Sequence, residues 1–420
     1  MKLLQIIMLE VRSLVRSKTL AMLAVASVAW MSALPHFVTS DGTGAGAREL
    51  YVHYSLGGVF LLLVVALTAS AAGSLAAERA ARRLQLTMVR PVRYWQVAFG
   101  RIVAQVAVGA AVLALAMAVL LLTADASRTC SHVLSPVLPS PREEAKAMYE
   151  TYMNDPDTPA EVKRAKKSVV LRLLTQRAVD HYQTLQTNST VVWKFRVPAA
   201  ARGGRGAAAR LRFTNQFEMR QDVRGAFSFD GAETAVSNIT QAVLTIPLVT
   251  RGKELAETVE LAFRNDGRTP LMLRPRRDVN LLLPADGFAA NAARTYVELV
   301  SILALLTAFA TLLSAGLGRS VAVFTVFVTL IVGLVSPSVV EQYPDELETD
   351  RIDRIGLAIT RTAAEVTRPV AALAPLAALA QDECVEADEV LRIAAVDLVA
   401  VPLVLSLLAA LALPRKQEEI

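Results

Sequence analysis

The chain has 420 residues, 54% of them hydrophobic, and its mean hydropathy is +0.42. Both values exceed what a soluble globular domain usually carries, and the 20% of charged residues is lower than usual. The net charge of +6 comes from 44 Lys and Arg against 38 Asp and Glu. This composition excludes a disordered or wholly soluble chain and predicts an integral membrane protein.

The apolar residues are clustered into six segments that can cross the membrane, which takes about 20 residues for roughly 30 Å of hydrocarbon. The predicted spans are Thr19–Val38, Tyr54–Ala77, Ile102–Leu122, Val297–Leu317, Val321–Val335 and Ile393–Leu413. The fifth is short because Pro337 follows it, and the first could alternatively be a signal sequence. We therefore expect a mainly α polytopic membrane protein with six transmembrane helices.

Basic residues in the short loops predict the orientation of these spans, because Lys and Arg are enriched on the cytoplasmic side. The basic residues at the two ends are Lys2, Arg12, Arg16, Lys18, Arg415 and Lys416. The loop Ser336–Arg392 is acidic, with 12 Asp and Glu against 5 Lys and Arg. Both termini are then cytoplasmic, in a membrane that we expect to be the bacterial inner membrane. The basic pI needs no nucleic-acid partner.

The segment Glu78–Arg101, ERAARRLQLTMVRPVRYWQVAFGR, lies between the second and third spans. It contains six arginines against one glutamate, which predicts a cytoplasmic loop. It is also amphipathic, with an apolar stripe that includes Leu84 before Pro91 and a second apolar group after it. A loop that only sets orientation needs no such stripe, so the segment is predicted to dock onto another protein.

The chain divides into three regions. Residues 1–122 hold the first three spans and the loop 78–101, residues 123–293 form an extracytoplasmic domain, and residues 294–420 hold spans four to six with the loop 336–392. In the middle region, 140–185 reads as a helical hairpin. Residues 190–283 alternate apolar with polar positions, which predicts a small antiparallel β-sandwich. The domain is therefore expected to be α+β.

Four polar or reactive residues lie in or near the membrane on the non-cytoplasmic side. Cys130 and Cys384 could form a disulfide there or remain two unrelated thiols. Glu298 and Asp397 lie near the outer ends of their spans. They are either solvated at the interface or part of a polar outer gate, with Arg294 or Arg392 as a partner.

The sequence contains no recognisable motif for nucleotide binding or metal binding. There is no G-x-x-x-x-G-K-[ST] segment to cradle a nucleotide, and no H-E-x-x-H or paired-cysteine spacing to bind a metal. We therefore expect no cofactor, no metal and no enzymatic activity in this chain.

The loop resembles the cytoplasmic coupling segment of the permeases of type-2 ABC exporters. The residues that match this family's pattern are Glu78, Leu84, Leu86, Arg90, Pro91, Val92, Trp95, Gly100 and Arg101, and Arg93 adds a further charge to the same segment. The chain departs from the pattern after Glu78, where Arg79–Arg83 replaces the Gly-Thr that is common in the family. The large domain between spans three and four also lies outside the minimal pattern.

The resemblance implies a permease subunit that pairs with a second copy or a sister permease and with two cytoplasmic ATPases. ATP hydrolysis would take place in those partners, and the loop would transmit it to the spans for export or for an extracytoplasmic mechanical task. The alternative is a non-transporting membrane anchor whose β domain binds an envelope partner.

Overall fold

The structure is a computed structural model of the chain. It describes all residues except 1, 38–43, 81–92, 124–128, 139, 157–158, 160–162, 166, 204–205, 215–220, 241, 250–253, 343–355, 357, 359–373 and 416–420. The described residues form two compact units. The helical unit consists of Met1–Cys130, Gly287–Gln342 and Gly356–Ile420, and the β unit consists mainly of Ser131–Asp286.

The helical unit begins with four helices. They are α1 (Lys2–Arg16), α2 (Lys18–Phe37), α3 (Gly44–Ala80) and α4 (Tyr94–Thr123). Helix α1 is strongly amphipathic and packs against α4. Helices α2, α3 and α4 are apolar on nearly all sides, which is typical of helices surrounded by protein and lipid.

The described residues between α4 and the next long helix form the strands and short helices of the β unit, including a single 3-10 turn at Ala199–Ala201. In chain order these are β1 (Thr129–Leu134), α5 (Pro141–Asn154), α6 (Lys167–Gln183), β2 (Thr184–Leu185), β3 (Thr190–Arg196), β4 (Ala208–Arg212), β5 (Asp222–Phe229), β6 (Ala232–Ile239), β7 (Val243–Pro247), β8 (Thr258–Asn265), β9 (Leu271–Met272), α7 (Pro275–Asp278) and β10 (Val279–Gly287). Pro141 starts α5 because the first position of a helix needs no N–H donor.

The strands form two four-stranded sheets and one short pair. The first sheet has the order β1-β10-β4-β7, the second β3-β8-β5-β6, and β2 pairs with β9. In the second sheet Trp193 lies opposite Leu261, and Phe227 lies opposite Phe263. Because side chains alternate between the faces of a strand, these residues all point to the same, buried face.

The buried faces of the two sheets share one hydrophobic core. Large side chains from both sheets fill it, namely Trp193, Phe195, Leu211, Phe227, Phe263, Leu281 and Leu283. Helices α5 and α6 pack against each other through a separate cluster that contains Ala145, Val170 and Leu174. The β unit therefore has its own core and does not need apolar contacts to the helical unit to bury its large side chains.

The chain then returns to the helical unit with α8 (Phe288–Gly316) and α9 (Arg319–Gln342). After them come α10 (Ala374–Ala380) and α11 (Ala387–Ile393), which continues through the π-helical turns Ala394–Ala400 into α12 (Val401–Arg415). Helix α8 lies at the centre of the unit, because it packs against α3, α4, α9, α10, α11 and α12.

Four helices in the described residues are long and apolar enough to cross a membrane. They are Glu49–Ala77, Tyr94–Thr123, Phe288–Gly316 and Ala387–Ala412. Helices α1 and α2 count as a fifth candidate only as a bent pair, and the apolar part of α9, Arg319–Thr329, is shorter. The chain thus has the coarse architecture expected from its sequence, a mainly helical protein with apolar spans and a β region, whereas the number six stays a prediction.

The structure has a β region where strands were predicted, but several of its elements differ from the prediction. Strand β1 lies outside the region 190–283 for which strands were predicted, and burial does not alternate cleanly along β1 or β6. Within that region, Leu271–Gly287 is divided into β9, α7 and β10, because Pro275 starts a helical turn. In the predicted helical hairpin 140–185, helix α6 begins at Lys167.

Candidate functional site

The described part of the candidate docking segment begins at Arg93. The Arg93 backbone N–H donates a hydrogen bond to Gln96 Oε1 at 3.1 Å, and the Gln96 N–H donates to the Arg93 carbonyl oxygen at 3.0 Å. A glutamine at the third helical position that reaches back in this way caps a helix N-terminus. Arg93 and Gln96 therefore cap the N-terminus of α4, which begins at Tyr94.

The predicted docking residues fall partly inside and partly outside the described residues. Outside them lie Leu84, Leu86, Arg90, Pro91 and Val92. Glu78 belongs to the last turn of α3. Arg93 is exposed, Trp95 is half-buried, and Gly100 is buried.

Arg101 is buried in α4, with only 6% of its surface exposed. Arg101 was predicted to be part of the docking segment, and its side chain is enclosed within the helical unit. A buried arginine requires a polar environment, because an isolated charge is costly to remove from water. Arg101 is therefore better placed to act inside the helix bundle than to contact a cytoplasmic partner.

Helix α1 packs directly on the start of α4, a contact that the sequence analysis missed. A Cβ atom placed on Gly100 would lie 2.9 Å from Ile6 Cγ2 and 3.6 Å from Leu3 Cδ1, so the two helices approach closely at this glycine. The signal was present in the helical period of the apolar residues of KLLQIIMLEVRSLVR. The other side of α1 leaves Leu4, Met8 and Val15 exposed.

A second polar cluster lies at the opposite end of the helical unit, around the disulfide between Cys130 and Cys384. The Cα atoms of the two cysteines are 5.1 Å apart, and Cys130 is fully buried. Asn291 Nδ2 donates to the Glu383 carbonyl oxygen at 2.7 Å, and the Val385 N–H donates to Asn291 Oδ1 at 2.8 Å. The side-chain amide of Asn291 thus forms hydrogen bonds with the residues on both sides of Cys384, Glu383 and Val385.

Arg294 adds a third bond to this cluster, because its Nη1 donates to the Val385 carbonyl oxygen at 3.2 Å. Nearby in the sequence, Leu376 and Leu379 of α10 are fully buried in the same core as α3 and α8. Gln381 of the same segment donates from Nε2 to Glu49 Oε1 at 3.1 Å. Apolar burial, these hydrogen bonds and the disulfide therefore hold the segment Ala374–Val385 in place. Spacing in the sequence could not reveal the role of Asn291.

The two predicted outer-gate carboxylates lie on different helices. Glu298 of α8 is buried, with 6% of its surface exposed, and the charge of Glu389 acts on it. Asp397 is half-buried in the π-helical turns of the last span, where the charge of Arg392 attracts it.

Charged residues on the outer face of the second sheet pair with each other. Lys194 Nζ lies 2.9 Å from Glu260 Oε1, and Arg264 Nε donates to Asp266 Oδ1 at 2.8 Å. The hydrogen bond to Asp266 and its negative charge raise the pKa of the Arg264 guanidinium. Exposed pairs of this kind contribute little to stability, so this face is a solvated surface. Within the described ranges, no group of three His, Cys, Asp or Glu side chains could hold a metal ion.

Comparison with known proteins finds no family model, no curated protein and no solved structure that matches the chain. The functional interpretation therefore depends on the loop, the spans and the chemistry of the residues described above.

Proposed function

We propose that the chain is the permease subunit of an ABC transporter of the type-2 exporter class. It would couple ATP hydrolysis by a separate cytoplasmic ATPase to export or to mechanical work outside the cytoplasm. The observation that carries this proposal is the position of Glu78–Arg101. The arginine-rich, amphipathic segment joins two candidate spans, Glu49–Ala77 and Tyr94–Thr123, and resembles the coupling segment of that family.

The chemistry of the segment supports a docking role. Its apolar stripe offers buried area to a partner, and its arginines can pair with acidic side chains there. The start of α4, which follows the segment directly, is capped and packed against α1, so a partner bound to the segment would act close to α4. A segment that moves a span must act close to that span.

The proposal includes a topology and a set of partners. Helices α2 and α9 would complete six spans, with both termini cytoplasmic in a bacterial inner membrane. Two ATPase subunits and a second permease copy or a sister permease would form the working assembly. The resemblance supports these partners, and the basic short loops support the orientation.

Charge reversal in the segment tests the proposal. Arg90→Glu combined with Arg93→Glu, or Leu84→Asp alone, should uncouple ATP hydrolysis from function while the protein still inserts into the membrane. Arg224→Glu is the control, because Arg224 is an exposed arginine of the β unit. Unchanged ATPase binding and activity in the loop variants would refute the docking role.

The alternative function starts from the separate core of the β unit, which is typical of a domain that folds on its own. In this alternative the helices only anchor the β unit to the membrane, and the β unit recognises an envelope component. The same loop variants distinguish the two, because an anchor would keep its function with Leu84→Asp.

A further inference from the structure

The interior of the helical unit contains a polar layer that neither the docking segment nor the disulfide cluster explains. Its starting point is Gln105 of α4, whose side chain is 1% exposed. Both its amide nitrogen and its amide oxygen lack a hydrogen-bond partner among the described residues. A buried polar group without a partner destabilises a fold, so such a residue in a span calls for an explanation.

Helix geometry shows which residues surround Gln105. Ala98, Leu75 and Ala315 lie in one contact cluster that joins α4, α3 and α8. Positions seven residues apart lie on nearly the same face of a helix and about 10 Å apart along it. Seven residues from this cluster, toward the C-terminal end of α4, the corresponding positions are Gln105, Thr68 and Ala308. Thr307 adjoins Ala308 and Thr311 lies one turn from it on α8, and together these five residues form the layer.

The polar members of this layer are all buried. Thr68 and Thr311 are 1% exposed and Thr307 is fully buried. Thr68 Oγ1 donates to the Val64 carbonyl oxygen at 2.5 Å and Thr311 Oγ1 to the Thr307 carbonyl oxygen at 2.8 Å, so both hydroxyls can still accept. Thr307 Oγ1 has no partner among the residues that the structure describes.

Apolar residues flank the layer on both sides. Toward the loop 78–101, Leu75, Ala98, Ala315 and Ala409 form an apolar cluster, and the buried Arg101 lies on α4 between Ala98 and Gln105. One turn beyond Gln105, a Cβ atom on Gly109 would lie 2.5 Å from Leu67 Cδ1 and 3.5 Å from Leu303 Cδ1. The amide of Gln105 and the hydroxyls of three threonines therefore share an enclosed level of the bundle.

We propose that this layer is an internal hydration site, in which Gln105 and Thr307 bind one or more water molecules between α4, α3 and α8. Water suits the layer because it donates and accepts, and a buried water needs two to four polar partners. The two unpartnered side chains and the free acceptor positions of Thr68 and Thr311 supply that number. The same chemistry would admit small uncharged solutes that carry hydroxyl or amide groups. The site is independent of ATPase docking.

Cysteine accessibility tests the proposal in the full-length protein. The two native cysteines are bonded to each other, so an introduced cysteine is the only free thiol. Gln105→Cys and Thr307→Cys should react with a small hydrophilic methanethiosulfonate about tenfold faster than Leu113→Cys, because a thiolate forms more readily in a hydrated than in an apolar site. Leu113 is the matched control, a fully buried residue in the apolar core of the same helix.

Equal reaction rates for all three variants would overturn the proposal, and so would labelling of only one of the two layer positions. Hydroxyl-radical footprinting of the unaltered protein gives a second measurement that needs no variant. It should oxidise Leu67 and Leu303, which border the layer, more than Leu113. Equal oxidation of the three leucines would contradict the hydration site even if a cysteine variant failed to insert.

Discussion

At the scale of single residues, Asn265 stabilises the β unit through a set of hydrogen bonds that no other side chain could make. It is fully buried, and its Nδ2 donates to the carbonyl oxygens of Leu185 at 3.3 Å and Thr269 at 3.0 Å. Its Oδ1 accepts from the Gly267 N–H at 3.0 Å. Asn265 therefore connects the end of β8 to β2 and to its own following turn.

Replacement of Asn265 by Ala should lower the free energy of unfolding of the β unit by about 2–4 kcal/mol, because several buried backbone groups lose their partner. Hydrogen–deuterium exchange of the full-length protein should show faster exchange in β5 and β8. Asn238→Ala is the control, since Asn238 is half-buried and makes one bond of 3.4 Å to the Ala242 carbonyl oxygen. Similar exchange in both variants would show that the Asn265 network is not important.

The disulfide cluster and the polar layer show which residue contacts a sequence can reveal. Two cysteines on the same side of the membrane made a bridge possible, but 254 positions separate them, and alternation and spacing say nothing about such distant pairs. Gln105 was visible as a polar residue in an apolar run. Whether Gln105 lies at the same height along the helix bundle as Thr68 and Thr307 depends on how the three helices are rotated and packed.

At the scale of elements, glycines set how closely the central helices approach. Gly109 of α4 faces Leu67 of α3, and Gly58 of α3 faces the ring of Trp30 of α2, whose Nε1 donates to the Tyr54 carbonyl oxygen at 3.0 Å. Small residues at such crossings are typical of helices that pack inside a membrane.

Gly109→Val should destabilise the helical unit by about 1–3 kcal/mol, because the new side chain would push α3 and α8 away from α4. Gly316→Val is the matched control, because a Cβ atom at Gly316 would meet no atom within 4 Å. Thermal unfolding in detergent should show a lower Tm for the Gly109 variant alone. Equal Tm values for the two variants would contradict the close crossing of α3 and α4.

Whether a helix or strand could be predicted from the sequence depended on its length and on the pattern of its buried residues. Helices α3, α4, α8 and the last span are long and apolar, so composition alone located them. Strands β3 and β8 were found because their buried residues alternate, as in the burial of Trp193 and Phe195. Helix α1 went unnoticed because its apolar face is short and interrupted by charges. Strands β1 and β6 were missed because buried and exposed positions do not alternate regularly along them.

At the scale of the whole molecule, the chain consists of a helical unit and a β unit, each with its own hydrophobic core. The β unit is inserted between α4 and α8, two helices that pack against each other. No nucleotide-binding motif occurs in the sequence. The proposed function therefore assigns ATP hydrolysis to a partner, and this assignment is its central claim.

Copurification of the detergent-solubilised protein from its native membrane tests this claim most directly. The account predicts that a cytoplasmic ATPase accompanies the protein and that Leu84→Asp reduces its amount while the yield of the permease stays the same. Recovery of the intact protein without any ATPase, under conditions that preserve membrane complexes, would contradict the permease function.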